Sequence, residues 1–278
     1  MISRVLPYVA TRFQSKGVLD VASLGFRIAG FQAGAVALSN IARKSYAGSV
    51  NNPALKAIQI ETLAFCNYKC SFCPTNQIEM PKGRMTDRLF ESLIDQLREF
   101  EGEIRLYLRN EPLLDKRIFD FAKTADEQTK GKVVIQTNGS LLTYEAAQKL
   151  APHAKIVVND YTDGEVGSRI EEFAKEFDIV IANRGSDKGL SNRAGNLPSA
   201  KPKKLDAFCN RPFNQLYIAY NGQAALCCQD WTLEEIMGDA SVSTLEEIWT
   251  GSTIVNKRKE LLERKRTGLC AKCDYPGV

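Results

Sequence analysis

Residues 85–100 (MTDRLFESLIDQLREF) carry apolar side chains at Leu89, Phe90, Leu93, Ile94 and Leu97. That three-and-four spacing predicts an amphipathic helix with Thr86 as its N-cap. Helical stretches are also predicted at 117–129, 143–150 and 168–177. Between them lie short apolar runs that predict strands: 56–63 (KAIQIETL), 103–108 (EIRLYL), 133–137 (VVIQT, closed by Asn138-Gly139), 155–158 (KIVV) and 179–182 (IVIA). Five strands alternating with four helices imply right-handed crossovers and a parallel sheet. The expected fold class is α/β, a partial TIM-like barrel, with its chemistry at the C-terminal strand ends.

The pattern changes after residue 184. Residues 185–208 are rich in Gly, Ser, Asn, Pro and Lys and read as a linker that contributes to a substrate loop. Residues 215–227 (QLYIAYNGQAALC) predict a hairpin around Asn221-Gly222. A capping box at Ser243–Glu246 and a basic helix over 255–266 follow. The expected organisation is an N-terminal extension (1–50), a barrel (51–184), the linker (185–208) and a small α+β unit (209–278). That last unit is small enough to want a staple.

Composition is that of an ordinary globular chain: 278 residues, 44% hydrophobic and 25% charged, net charge +4. So small an excess gives no reason to expect nucleic-acid binding. The charge is uneven, however. Residues 1–50 hold Arg4, Arg12, Lys16, Arg27, Arg43 and Lys44 against Asp20 alone. The longest charge-free run there, Ile28 to Ala42, falls short of the roughly 20 residues of a membrane span. A helical cover for the domain, an amphipathic helix on a membrane surface and a mitochondrial-type presequence all remain open.

Eight cysteines change the picture. They are clustered, at 66/70/73, 209, 227/228 and 270/273, and no secretory signal precedes them. Such clusters in a reducing, cytoplasmic setting read as metal or cluster ligands before disulfides. Thiolates select iron–sulfur clusters, zinc or copper(I). The run CNYKCSFCP spaces Cys66, Cys70 and Cys73 by three and then two residues. Without a fourth cysteine nearby it supplies three ligands to a four-iron cluster and leaves one iron open. The one histidine, His153, reads as a surface residue, and a single His cannot build a His-based hydrolase or a multi-His metal site.

With these residues the chain resembles the radical S-adenosylmethionine (SAM) superfamily over residues 56–278. The resemblance implies a first 4Fe–4S cluster on Cys66, Cys70 and Cys73 whose open iron chelates SAM. It implies Phe72 beside the adenine, and Asn110-Glu111-Pro112 as the motif near the methionyl amino group, with Asn110 where the family has Gly. Thr137 and Asn138 become candidate ribose contacts. Cys209, Cys227, Cys270 and Cys273, with CCQDW and the EEIW helix, resemble the family's SPASM/twitch extension, which binds an auxiliary 4Fe–4S cluster. A structural zinc ribbon is the alternative, but it wants paired C-x-x-C knuckles and only one is present.

Four segments, CNYKCSFCP, NEPLL, TNGSLLT and LSNRAG, are similar to those of family members that oxidise a cyclitol alcohol. That similarity implies a small sugar or cyclitol substrate, with Arg193 at the reacting hydroxyl and a flavodoxin or ferredoxin as electron donor. A loop arginine paired with an acid is the plainer reading of Arg193. Cys228, left over beside Cys227, is a small buried residue, a substitute ligand, or a hydrogen-atom donor; the last would make a redox-neutral epimerase. A peptide-modifying maturase and a non-catalytic metal-binding scaffold complete the alternatives. A scaffold, however, needs no open iron.

Overall fold

The computed structural model describes residues 32–184, 191–197 and 205–277. Its centre is one eight-stranded sheet in the order β5-β4-β3-β2-β1-β6-β7-β8. The first five strands are β1 (Ala57–Ile60), β2 (Glu103–Arg105), β3 (Lys132–Thr137), β4 (Lys155–Asp160) and β5 (Val180–Asn183). They are the five runs expected, all parallel. β1 is buried at all four positions, which is why its run lacks alternation.

The helices between the strands cover the sheet. They are α2 (Asp87–Gln96), α3 (Ile118–Gln128), α4 (Tyr144–Leu150) and α5 (Glu165–Ala174); α1 (Gln32–Tyr46) precedes β1. Thr86 caps α2 as predicted, accepting from Leu89 N at 3.2 Å. Phe90 of α2 stacks on Phe121 of α3 with centroids 3.9 Å apart. α5 begins three residues earlier than its periodicity suggests. The Thr162 hydroxyl accepts from Val166 N at 2.9 Å and the Asp160 carboxylate accepts from Gly167 N at 2.8 Å, so the caps start the helix at Glu165.

The hairpin at Asn221-Gly222 is present, between β6 (Gln215–Ile218) and β7 (Gln223–Ala225), but its setting differs from the expectation. β6 pairs in parallel with β1, Ala57 against Gln215 through Ile60 against Ile218. The barrel therefore has a sixth parallel strand, and β7 and β8 (Ile236–Asp239) extend it antiparallel. The sheet crosses the boundary expected near 184–208. Leu216, Ile218, Met237, Ile248 and Trp249 also belong to the same core as Ile58, Phe90 and Ile135. Much of residues 209–277 thus shares the barrel's core. What stands apart from the main core is two small apolar groups, around Leu269 and Tyr275 and around Phe208 and Phe213.

Two further boundaries shift. The capping box opens on Thr244 rather than Ser243. The Ser243 N–H is bonded to Asp239 O at 3.0 Å, while Thr244 and Glu247 exchange the two capping bonds that start α7 (Leu245–Thr250), α6 being the single turn Arg211–Asn214 before β6. The basic helix is α8 (Ser252–Leu262); it stops short of Arg266 because Arg264 takes a left-handed φ of 60°.

The described part of the N-terminal extension, α1, packs on the C-terminal region. The Ser39 hydroxyl donates to Phe208 O at 3.2 Å, Arg43 donates to Leu262 O at 2.7 Å, and Tyr46 packs on Phe208 and Phe213. The rest of that extension, residues 1–31, lies outside the described residues, as do 185–190 and 198–204 of the linker. Among the described residues no helix is long and apolar enough to cross a membrane.

Candidate active site

The loop after β1 carries Cys66, Cys70 and Cys73. Cys73 N donates to Cys70 O at 3.1 Å and folds the second gap into a turn. The Gln77 side-chain amide reaches the carbonyls of Cys70, Ser71 and Cys73 at 3.1, 2.6 and 3.0 Å. Burial raises the pKa of the Cys66 thiol, and neighbouring Glu111 and Cys73 raise it further. Grouped, desolvated thiols ionise readily only when a metal core supplies positive charge.

The ends of β2 and β3 meet this loop. Glu111 is buried, and its carboxylate accepts from Thr137 Oγ1 at 2.6 Å, Asn138 N at 2.7 Å and Leu113 N at 3.0 Å. Burial nonetheless raises its pKa above the usual carboxylate value. Asn138 donates through Nδ2 to Asn67 Oδ1 at 2.9 Å, and Asn67 donates to Ser140 Oγ at 2.9 Å, so the cysteine loop is laced to the end of β3. Thr137 and Asn138 thus face Glu111 and the loop. Gly139 follows at φ 76°, where an added Cβ would lie 2.6 Å from Val166.

Asn110 accepts from Leu108 N at 2.9 Å through Oδ1. Its Nδ2 is buried with no hydrogen-bond partner among the described residues. A buried amide donor is normally paired, so this one fits a site that receives a polar ligand. The three thiols, the buried carboxylate and this free donor, gathered at adjoining strand ends, fit a cluster with bound SAM.

Arg193 comes to the same place from the linker. Its Nε donates to Phe72 O at 3.3 Å, and the Phe72 ring lies 5.0 Å from that of Tyr161. The expected acid partner for Arg193 is absent from the ion pairs of the described residues. Arg193, Ala194 and Gly195 have φ of 53°, 55° and 79°. For the two non-glycines that costs about 1–2 kcal/mol each. Asn192 holds the strained turn by donating to Lys272 O at 2.7 Å, and Asn196 holds it by donating to Gln229 O at 3.0 Å.

The second cysteine set is brought together. Cys209, Cys227, Cys270 and Cys273 line one cavity, with Ala194 on its wall. Burial raises the thiol pKa values of Cys227, Cys270 and Cys273, and neighbouring thiols add to it in each case. Four thiols on one cavity, with only one C-x-x-C knuckle among them, suit an iron–sulfur core better than a zinc ribbon. Cys228 does not line the cavity; its sulfur accepts from Gln229 Nε2 at 3.8 Å. His153, in the turn after α4, pairs with Asp126 of α3 at 3.0 Å.

The sequence reading missed the ion pair beneath the first loop. Arg109 and Glu61 are both buried, and Arg109 Nη2 lies 2.5 Å from Glu61 Oε2. Arg109 Nη1 also donates to Trp231 O at 2.8 Å, and Arg109 O accepts from Thr75 Oγ1, which in turn accepts from the Cys73 thiol. An acid ending an apolar strand was the available signal. Arg211 and Arg266, on the cavity wall, were missed as well.

Taken together, the parallel half-barrel, the three-thiol loop at its strand ends and the four-thiol cavity define a radical SAM enzyme with an auxiliary iron–sulfur domain. Residues 60–160 match the radical SAM superfamily and residues 209–274 match the SPASM iron–sulfur cluster-binding domain, and the chain belongs to that superfamily. It is similar to the S-adenosyl-L-methionine-dependent 2-deoxy-scyllo-inosamine dehydrogenase of Niallia circulans, 29% identical over 238 residues, covering 80% of this chain and 93% of the relative. Among solved structures, BtrN in complex with AdoMet and 2-DOIA superposes with a TM-score of 0.71 at 26% identity, covering 79% of this chain and 93% of that one. SuiB of Streptococcus suis bound to its precursor peptide has a TM-score of 0.52 at 13% identity, covering 80% and 71%, and shares the fold.

Proposed function

We propose that this enzyme oxidises a secondary alcohol of a cyclitol or sugar to a ketone. The observation that carries the reading is the placement of two consecutive residues. Arg193 donates to the carbonyl of Phe72, between two ligands of the first cluster, while Ala194 lines the auxiliary cavity. A substrate held by Arg193 therefore sits beside an electron acceptor, which an oxidation needs and a redox-neutral epimerisation does not. The 29% identity to a cyclitol dehydrogenase points the same way.

In this reading Cys66, Cys70 and Cys73 hold the first 4Fe–4S cluster, and Cys209, Cys227, Cys270 and Cys273 hold the second. When bound, SAM on the first cluster supplies a carbon-centred radical able to abstract hydrogen, and the second cluster supplies a one-electron acceptor. Asn110 and Glu111 orient the methionyl end of SAM, Phe72 packs on its adenine, and Thr137 and Asn138 fix the Glu111 carboxylate. Arg193 orients the substrate hydroxyl and stabilises negative charge on its oxygen as the proton passes to water; a guanidinium is already protonated and has no basic site to take that proton itself. A flavodoxin- or ferredoxin-type protein provides the reducing electron.

The test is anaerobic reconstitution, an iron and sulfide count, and incubation with SAM, dithionite and a panel of cyclitols and sugars. A ketone formed together with 5′-deoxyadenosine supports the reading, and the Cys228→Ala variant should still form it. Inversion at carbon without net oxidation, lost in Cys228→Ala, would instead make Cys228 the hydrogen donor of an epimerase.

A further inference from the structure

The auxiliary cavity is lined by two arginines besides its four cysteines. Arg266 is buried and donates only to backbone carbonyls: Ala207 at 2.8 Å, Tyr275 at 2.9 Å, and Cys273 and Phe208 at 3.4 Å. Its charge meets no carboxylate among the described residues. Arg211, two residues after Cys209, is 8% exposed, and its guanidinium carbon lies 3.7 Å over the Tyr275 ring. Among the described residues its side chain has neither a salt bridge nor a hydrogen bond to protein. Glu235, whose charge bears on Cys270, is matched by Lys257 at 2.9 Å, and Asp274, next to Cys273, accepts from Asn192 N at 2.8 Å and pairs with neither arginine among the ion pairs of the described residues. The wall of the cavity thus holds two uncompensated buried cations, which would be costly unless something anionic faces them.

We propose that Arg211, supported by Arg266, is the charge partner of the auxiliary cluster and holds its reduction potential up. This rests on the reading that the four cysteines hold such a cluster. Reduction adds one negative charge to a centre already rich in thiolate, and net charge and burial are what set the potential of these clusters. A fixed guanidinium in a desolvated wall stabilises the reduced form more than the oxidised form. Arg266 is tied down by four carbonyls and serves structure as well. Arg211 has its hydrogen-bonding capacity free for cluster or ligand sulfur, and is the positioning residue to test.

The experiment uses the reconstituted full chain. Iron content is measured, and a potentiometric titration is followed by electron paramagnetic resonance on the cluster signal that SAM does not perturb. Arg211→Gln should keep its iron while its electron affinity falls about tenfold or more, a drop of about 59 mV for one electron. Arg211→Lys keeps the charge and should stay near the native midpoint. Loss of the second cluster in Arg211→Gln, with Arg211→Lys retaining both iron and midpoint, would also support the proposal. A native midpoint in Arg211→Gln, or equal cluster loss in both variants, would overturn it. About four irons in the native protein would sink the underlying cluster reading before any variant is made.

Discussion

Arg109 donates to both carboxylate oxygens of Glu61, at 2.5 and 3.0 Å, and both side chains are buried at 1% and 0% exposure. The same guanidinium reaches Trp231 O. One ion pair therefore ties β1, the segment before Asn110 and the loop that follows Cys227-Cys228. Removing one member leaves a buried charge unpaired, which costs about 3–5 kcal/mol. Arg109→Met and Glu61→Gln should each lose that much in urea unfolding. The double variant should lose clearly less than their sum, because with both members gone no orphaned charge remains.

Asn110 offers a buried amide Nδ2 that no described protein group accepts. If it meets the carboxylate of SAM, the bond is charge-assisted and contributes about 1.5–3 kcal/mol. Asn110→Ala should then weaken SAM binding by roughly tenfold or more, measured by titration of the reconstituted protein, while the iron count stays native. Unchanged affinity would remove Asn110 from the SAM site.

Much of this site is legible in the sequence because its signals are local. Cys66, Cys70 and Cys73 announce themselves by spacing, and the strands they follow are short apolar runs because parallel strands are covered on both faces. The pairing of Gln215 with Ala57 is a different matter. It depends on which distant strand completes the sheet beside β1, and a hairpin motif is silent on that. Glu61 and Arg109 are likewise 48 residues apart, so each reads alone as an ordinary charge. The left-handed turn at Arg193 and Ala194 was hidden because neither residue type favours it; contacts from Asn192 and Asn196 impose it.

That turn makes Arg193→Gly an informative substitution. Glycine adopts φ near 53° without strain, so the backbone, and with it Ala194 on the cavity wall, should be preserved. The guanidinium is all that is lost. Ketone formation should fall by about a hundredfold, as for loss of a charge-stabilising donor, while both clusters load and 5′-deoxyadenosine still forms in uncoupled turnover. Equal loss of iron and activity would make Arg193 a structural residue instead.

Iron removal separates the two cores. The main sheet is held by a large apolar cluster in which no described cysteine is a central member. The group formed by Ala194, Leu269, Cys273 and Tyr275 is far smaller, and two further candidate ligands, Cys209 and Cys227, pack against it. Residues 263–277 contain only one short turn of 3-10 helix, Gly268–Lys272. Such a segment has few apolar contacts of its own, and metal binding there is also folding free energy. Chelating the iron should therefore speed amide hydrogen exchange in residues 191–197 and 263–277 by tenfold or more. Exchange in β1, β3 and β4 should change little. Uniform acceleration across the sheet would mean that the clusters hold the whole barrel, and that the apolar core is weaker than its burial implies.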